Sequence, residues 1–289
     1  MKVSGFTFIR NAIKYDYPIV EAIRSILPLC DEVVVAVGNS EDETYALIQG
    51  IDPKVRIIET TWDDSVREGG RTLALETDKA FKAIDPASDW AFYIQGDEVI
   101  HEKYLPAIRE AMERFKDDSR VEGLLFNYQH FYGSYDYVGT SISWYLDEIR
   151  IIRNRPDIFS YRDAQGFRKL PNAKLSIKKI DAHVYHYGWV KPPEKMQKKQ
   201  ESFHKMWHDD TWVKENVQQV EAFDYFANID ALAVFKESHP AVMKDRIAAK
   251  NWSFEYDITF NKTKLKDRFK RFLRTYVGID IRYKNYKKL

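Results

Sequence analysis

The order of apolar and polar positions divides the chain into two textures. Val3 to Ile9 is an apolar, β-prone run closed by Arg10-Asn11, and Ile19, Val20, Ile23, Ile26 and Leu27 then recur at helical spacing as far as Pro28. Val33 to Val37 (VVVAV) has the continuous apolar character of a strand buried on both faces of a parallel sheet. A short helix is predicted over Asp42 to Gln49, and a third strand over Val55 to Ile58. Leu73, Thr77, Ala80, Phe81 and Ile84 line one side of a helix that begins just after Gly69-Gly70. Trp90 to Ile94 (WAFYI) is a fourth strand and runs straight into Gln95-Gly96-Asp97-Glu98. Strands alternating with helices in this way predict an α/β fold on a doubly wound, mostly parallel sheet.

Past residue 120 the texture changes. Leu124 to Tyr137 is aromatic and extended, Ile149 to Ile152 and Ile180 to Tyr187 are further strand candidates, and from Pro192 the pattern is mostly helical and polar. A catalytic-size domain over residues 1–215 and a C-terminal helical extension over 216–289 are expected.

Composition narrows the class. With 289 residues, 44% hydrophobic and 31% charged, the chain can bury a core. A lone cysteine, Cys30, excludes an internal disulfide framework and a cysteine-only zinc site. No run approaches the roughly 18 apolar residues of a membrane span, and Arg10 and Asn11 interrupt the first residues before a signal-peptide core could form. A cytoplasmic protein is expected. The net charge of +1 argues against a nucleic-acid coat, but it hides an asymmetry: residues 262–289 carry eleven Lys/Arg against two Asp/Glu, a +9 tail on a −8 body.

Several familiar chemistries are missing, since the chain has no G-x-G-x-x-G, no G-x-x-x-x-G-K-[ST], no G-x-S-x-G and no H-E-x-x-H. What remains is the acidic step after WAFYI. Ligands of open α/β sheets bind beyond the carboxyl ends of the strands, so Asp97 sits where a phosphate-bound divalent cation is expected. The competing reading makes Asp97 an N-cap for a helix near His101 to Phe115. His183 and His186 are three apart on a predicted strand, so only one can face the site; His186, beside Tyr187-Gly188, is the candidate, against the competing reading of a hydrogen-bonded core histidine among tyrosines. Tyr128, Phe131, Tyr132, Tyr135, Tyr137 and Trp144 form either a sugar-stacking wall or core packing. The pairs Asp63-Asp64 and Asp209-Asp210 read as solvated loops.

The order of these stretches resembles family 2 glycosyltransferases with the GT-A fold, over roughly residues 1–190. FTFIRN matches the family's first strand ending near an Asn, here Asn11. VVAVGNSEDET matches its nucleotide-holding turn, with Asn39, Ser40, Asp42 and Thr44 in corresponding places. Arg71 opens GRTLALETDKAF as the family's helix-opening Arg does. WAFYIQGDE ends where the family carries its metal-binding Asp-x-Asp-Glu, and EIRIIRNRPDIFSYRDAQG resembles the Arg-rich strand and loop before an acceptor-side acid. The chain departs from the pattern in three places. No base-binding Asp stands at Val37 or Gly38, Gln95 replaces the first metal-motif Asp, and Ala164-Gln165 replaces His-Glu, leaving Asp163 as the nearest carboxylate.

The resemblance implies an inverting, metal-dependent hexosyltransferase-like enzyme. Its donor is a nucleoside diphosphate sugar, and its acceptor is a saccharide of the cell envelope or a lipid-linked saccharide. Asn11, Asn39, Asp42, Arg71 and Gln95 would hold the nucleotide; Asp97 and His186 would bind Mn²⁺ (or Mg²⁺); Asp163 or Glu148, with Asp147 as a further rival, would activate the acceptor. A nucleotidyltransferase would need a Gly-rich phosphate loop and a Lys near the first strand, which FTFIRNA lacks. A non-catalytic nucleotide- or sugar-binding protein is the other alternative. In the tail, Leu265, Phe269, Phe272, Leu273 and Tyr276 make one apolar helical stripe among basic residues, the pattern either of peripheral contact with the anionic inner face of a membrane or of packing on the −8 body.

Overall fold

The structure is a computed structural model that describes residues 1–289 except 68, 142, 218–219, 228, 230, 261–262, 264 and 278–282. Its first half is the doubly wound sheet expected from the sequence. Strands β1 (Val3–Ile9), β2 (Glu32–Gly38), β3 (Val55–Thr60) and β4 (Trp90–Tyr93) are parallel in the order β3-β2-β1-β4. Helices α1 (Ile19–Ile26), α2 (Thr44–Gln49) and α3 (Arg71–Lys82) connect them. The run VVVAV shows why both faces must be covered. Val33, Val35 and Val37 pack with α1 in one core, while Val34 and Ala36 pack with Phe81 of α3 in the other.

Next come β5 (Glu98–Ile100), α4 (Leu105–Phe115), β6 (Gly123–Tyr132), β7 (Ser134–Gly139), β8 (Asp147–Arg153), β9 (Ile158–Tyr161), β10 (Gly166–Lys169) and β11 (Ala173–Trp189). The sheet continues from β4 through antiparallel β8 to β6, which pairs in parallel with β11, and β5 lies antiparallel on β11. Because Glu98 opens a strand, Asp97 caps no helix; His101, four residues on, accepts from Lys103 N instead. Glu98 itself is fully buried against Arg150, with Oε2 and Oε1 accepting from Nε at 2.8 Å and Nη2 at 2.7 Å, while Tyr128 Oη donates to Oε1 at 2.6 Å. Removing one partner of such a pair costs about 3–5 kcal/mol, so this cluster pins the turn over residues 95–97 to the sheet.

The remaining elements are α5 (Pro193–Lys205), α6 (Asp210–Asn216), β12 (Leu232–Val234), α7 (Lys244–Ala248), α8 (Leu265–Phe272) and β13 (Tyr286–Lys288). The extension is therefore not wholly helical: β12 pairs with β7 and β13 with β11. Of the six aromatics singled out above, Tyr128, Phe131, Tyr132 and Tyr135 are buried, and Tyr137 and Trp144 pack against the cluster around Tyr132 and Phe254. They are core. Among the described residues no helix is long and apolar enough to cross a membrane.

Candidate functional site

A cavity of about 940 Å³ opens at the carboxyl ends of β1 and β4, within the roughly 300–1,000 Å³ of small-molecule sites. Its floor is Asn11, Gln95, Asp97 and His186; Asp163 stands at one side; the second half of α5 covers it. Fully buried Lys191 fixes one rim, donating to the carbonyls of Tyr15 and Asp16 at 2.7 and 3.2 Å.

At the bottom, Asp97 Oδ1 lies 3.7 Å from His186 Nε2, and Asp97 Oδ2 accepts from Lys199 Nζ at 3.0 Å. Burial alone would raise the Asp97 carboxyl, but the Lys199 ammonium beside it prevails and holds it well below the ordinary carboxylate range. His186 Nδ1 is 3.0 Å from His130 Nδ1, and His130 Nε2 is 2.8 Å from the Tyr145 carbonyl. Burial keeps both rings neutral, pushing His130 down to about 3 and His186 to about 4.

The proton positions then follow from the network. The Tyr145 carbonyl only accepts, so His130 donates to it from Nε2; the 3.0 Å contact between the two Nδ1 atoms then suits a proton on His186 Nδ1 and an acceptor on His130, which leaves His186 Nε2 to face the Asp97 carboxylate. A lone pair on His186 Nε2 and the Asp97 carboxylate repel one another unless a proton or a metal cation lies between them. Gly188 keeps room there: a Cβ on it would fall 2.6 Å from His186 Nε2 and 2.8 Å from Asp97 Oδ2. Its φ is not left-handed, so space rather than backbone conformation calls for glycine. Oxygen and imidazole donors converging in this manner fit Mn²⁺ or another divalent first-row ion. Among the described residues no third His, Cys, Asp or Glu joins them, so bound phosphate or water would have to complete the shell.

Cations ring the cavity above this seat. Arg10 donates from Nη1 and Nη2 to Asp64 at 2.6 and 3.3 Å and from Nε to the Asn39 carbonyl at 3.1 Å, with its guanidinium 5.5 Å from the Trp62 ring centre. Arg67 reaches Asp210 at 2.7 Å and Lys14 reaches Glu41 at 2.6 Å. Asp64, Asp210 and Glu41 are 67, 76 and 64% exposed, so these ion pairs contribute little and are exchangeable. Asp64 and Asp210 are solvated, as expected, but each also pairs with an arginine of the cavity, and Asp209 caps α6 by accepting from Trp212 N at 2.8 Å.

Asp163 occupies the tip of the β9–β10 hairpin between two left-handed residues, Arg162 (φ 57) and Ala164 (φ 63). Its Cβ would clash at 2.7 Å with a side chain on Gly70, the left-handed residue (φ 69) before α3. Strained tips of this type are found at functional sites. Gln95 Nε2 donates to the Ala164 carbonyl at 3.2 Å and ties the hairpin to the floor. Burial raises the Asp163 carboxyl.

No protein-family model and no curated protein matches the chain. Solved structures do. The chain is similar to S. aureus TarS at 16% identity and a TM-score of 0.39, over 70% of this chain and 38% of that one. It is similar to S. aureus TarS 1-349 in complex with UDP-GlcNAc at 15% identity and a TM-score of 0.40, over 76% of this chain and 68% of that one. A third is glucosyl-3-phosphoglycerate synthase from Mycobacterium tuberculosis in complex with Mn²⁺, UDP and glucosyl-3-phosphoglycerate, at 20% identity and a TM-score of 0.29, over 45% of this chain and 44% of that one. Likenesses this distant assign no substrate or metal to the present chain.

Of the residues singled out from sequence, the structure gathers Asn11, Gln95, Asp97, Asp163 and His186 in one cavity. Asn39, Asp42, Arg71 and Glu148 are not part of its lining. Asn39 Oδ1 accepts from Trp62 N at 3.1 Å, and Asp42 accepts from Lys14 N at 2.6 Å and from Thr44, so both serve loop-to-loop contacts. Arg71 is exposed at the start of α3, and Arg67, in the preceding loop, lines the cavity in its place. Glu148 is buried on β8, where Gln165 Nε2 donates to it at 2.9 Å. His183 stacks on Tyr104 at 5.5 Å, outside the cavity lining. Sequence reading missed Arg10, Arg67, Trp62, His130 and Lys199.

Proposed function

We propose that the protein is a glycosyltransferase that binds a nucleoside diphosphate sugar at the strand ends and passes the sugar to a hydroxyl acceptor. The observation that carries this reading is the convergence of Asp97 Oδ1 and His186 Nε2 to 3.7 Å, kept uncrowded by Gly188 beneath a ring of exchangeable cations. The chemistry of a nucleoside diphosphate complements that arrangement. Trp62, 5.8 Å from Phe8, offers an aromatic face to a base, while Arg10, Arg67 and Lys14 exchange exposed carboxylates for phosphate oxygens. Asp97 and His186 would hold a divalent cation, Mn²⁺ in preference to Mg²⁺, which would supply neutralising charge for the leaving diphosphate. In this reading Asp163, raised by burial, takes the proton of the acceptor hydroxyl, and direct displacement by that oxygen inverts the anomeric carbon.

A cell-envelope or lipid-linked saccharide is the acceptor class we favour, because α8 and the following turn expose Phe269, Phe272 and Tyr276 among basic residues of the +9 tail. That surface fits anionic lipid.

Calorimetric titration of UDP, GDP, ADP and CDP, each with Mn²⁺ or with EDTA, tests the assignment. One base should bind, more tightly with Mn²⁺, and Asp97→Asn should abolish the difference. Failure of all four under both conditions refutes the donor site, whereas equal binding with EDTA refutes the cation alone.

A further inference from the structure

In the parallel pairing of β6 with β11, His130 stands directly opposite His186. Side chains opposite one another on adjacent strands share a face, and here the two imidazoles meet Nδ1 to Nδ1 at 3.0 Å. The His130 ring is held on every side. It stacks between Tyr128 (centroids 5.5 Å, interplanar 27°) and Trp144 (4.9 Å, 25°), and Tyr145 packs edge-on at 4.3 Å. Its far nitrogen donates to the Tyr145 carbonyl at 2.8 Å. A ring so clamped cannot turn to offer His186 a different atom, and it is too buried to borrow a water.

We infer that His130 is a positioning residue for the cation seat: it accepts the Nδ1 proton of His186, fixes that ring in the Nδ1–H tautomer, and so directs the Nε2 lone pair at the ion shared with Asp97. The chain of partners runs from the Tyr145 carbonyl through His130 and His186 to the cation. It differs from the usual second partner of a ligating histidine, a carboxylate or a carbonyl acting directly, because a neutral imidazole is interposed. An imidazole adds no negative charge. It sets direction while leaving Asp97 as the anion of the seat. This inference rests on the cation reading above.

Two variants separate direction from packing. His130→Phe keeps an aromatic ring between Tyr128 and Trp144 but removes the acceptor; His130→Asn keeps an acceptor near the position of Nδ1. Both are first matched to the full chain for folding by thermal melting. Mn²⁺ affinity, read by electron paramagnetic resonance of free Mn²⁺, should weaken about 10- to 100-fold in His130→Phe and only a few-fold in His130→Asn. Independently of metal, nitrogen-15 spectra of histidine-labelled protein should show His186 as the Nδ1–H tautomer in the unsubstituted chain. In His130→Phe the proton should shift toward Nε2, where Asp97 can accept it. The inference is overturned if His186 is the Nε2–H tautomer in the unsubstituted chain, or if His130→Phe binds Mn²⁺ as tightly as that chain. Should the unsubstituted chain bind no Mn²⁺ at all, the cation reading fails, and the tautomer measurement still decides the relay.

Discussion

Lys199 occupies the carboxylate on which the proposed cation would depend, and its removal has a calculable consequence. The ammonium lies 3.0 Å from Asp97 Oδ2, with the two side chains only 13 and 12% exposed. A charge-assisted hydrogen bond of this kind contributes about 1.5–3 kcal/mol net. A cation between Asp97 and His186 would compete with that ammonium for the same carboxylate, so Lys199→Met, which keeps the aliphatic stem, should tighten Mn²⁺ binding to the nucleotide-free protein. At about 1.4 kcal/mol per tenfold, the gain is about 10- to 100-fold. With nucleoside diphosphate present the effect should shrink or reverse, because the displaced ammonium is then free to meet phosphate. Calorimetric titration of Mn²⁺ into both proteins, with and without nucleotide, reads the two affinities directly. Equal or weaker Mn²⁺ binding by the nucleotide-free variant would refute the competition and with it the idea of a shared seat.

Four further outcomes are expected. Gly188→Ala should reduce Mn²⁺ affinity by at least tenfold in calorimetry while nucleoside binding in EDTA changes little, because the new methyl group lies within 3 Å of His186 Nε2 and of the Asp97 carboxylate. Asp163→Asn should lower turnover about 100-fold or more with donor affinity unchanged, measured by nucleoside diphosphate release and by titration. Burial holds the Glu148 carboxyl up at about 8, so the folded chain keeps a proton that the unfolded chain has released above the ordinary carboxylate range. Stability should therefore fall by about 1.4 kcal/mol per pH unit up to about pH 8, and thermal melts of Glu148→Gln should lose that slope. Vesicles rich in anionic lipid should sediment the full chain at low salt but not a form ending at Asn261; equal sedimentation of both would rule out the tail as the contact.

Legibility in the sequence followed the strength of local patterns. VVVAV and WAFYI announce strands because burial on both faces leaves no polar position, and the α/β order follows from them. Asp97 could be found because the turn begins where such a strand ends. The N-cap alternative survived at that level because β5 is only the three residues Glu98–Ile100, too short to register as a strand. His186 was legible through alternation, but His130 was not, since only the register between distant β6 and β11 brings the two rings together. Arg10 could have been noticed at the polar break that closes the first strand. Arg67 and Lys199 could not, because a loop and a helix carry them over the site from 119 and 13 positions away from His186 and at no fixed local spacing. Arg71 lies outside the cavity lining for a related reason: a helix-opening position fixes where the backbone begins, not which neighbouring guanidinium reaches the cavity.

Gln95 and Lys199 belong to one electrostatic arrangement. A second carboxylate at position 95 would put another anion beside Asp97, and it would face the Ala164 carbonyl to which Gln95 Nε2 now donates at 3.2 Å. An acid there could only repel that oxygen, and the tie between the floor and the Asp163 hairpin would be lost. The amide keeps the hairpin in place and leaves the seat with a single anion, which one ammonium balances; two carboxylates would not be balanced by Lys199 alone. The amide at position 95 thus fixes the Asp163 hairpin without adding charge to the floor, where Lys199 balances Asp97 under α5. Introducing an acid, as Gln95→Asp, should therefore loosen the hairpin even as it adds a ligand oxygen. Faster amide exchange at residues 162–165, measured against unchanged exchange in β4, is the signature that distinguishes this coupling from a simple change in metal affinity.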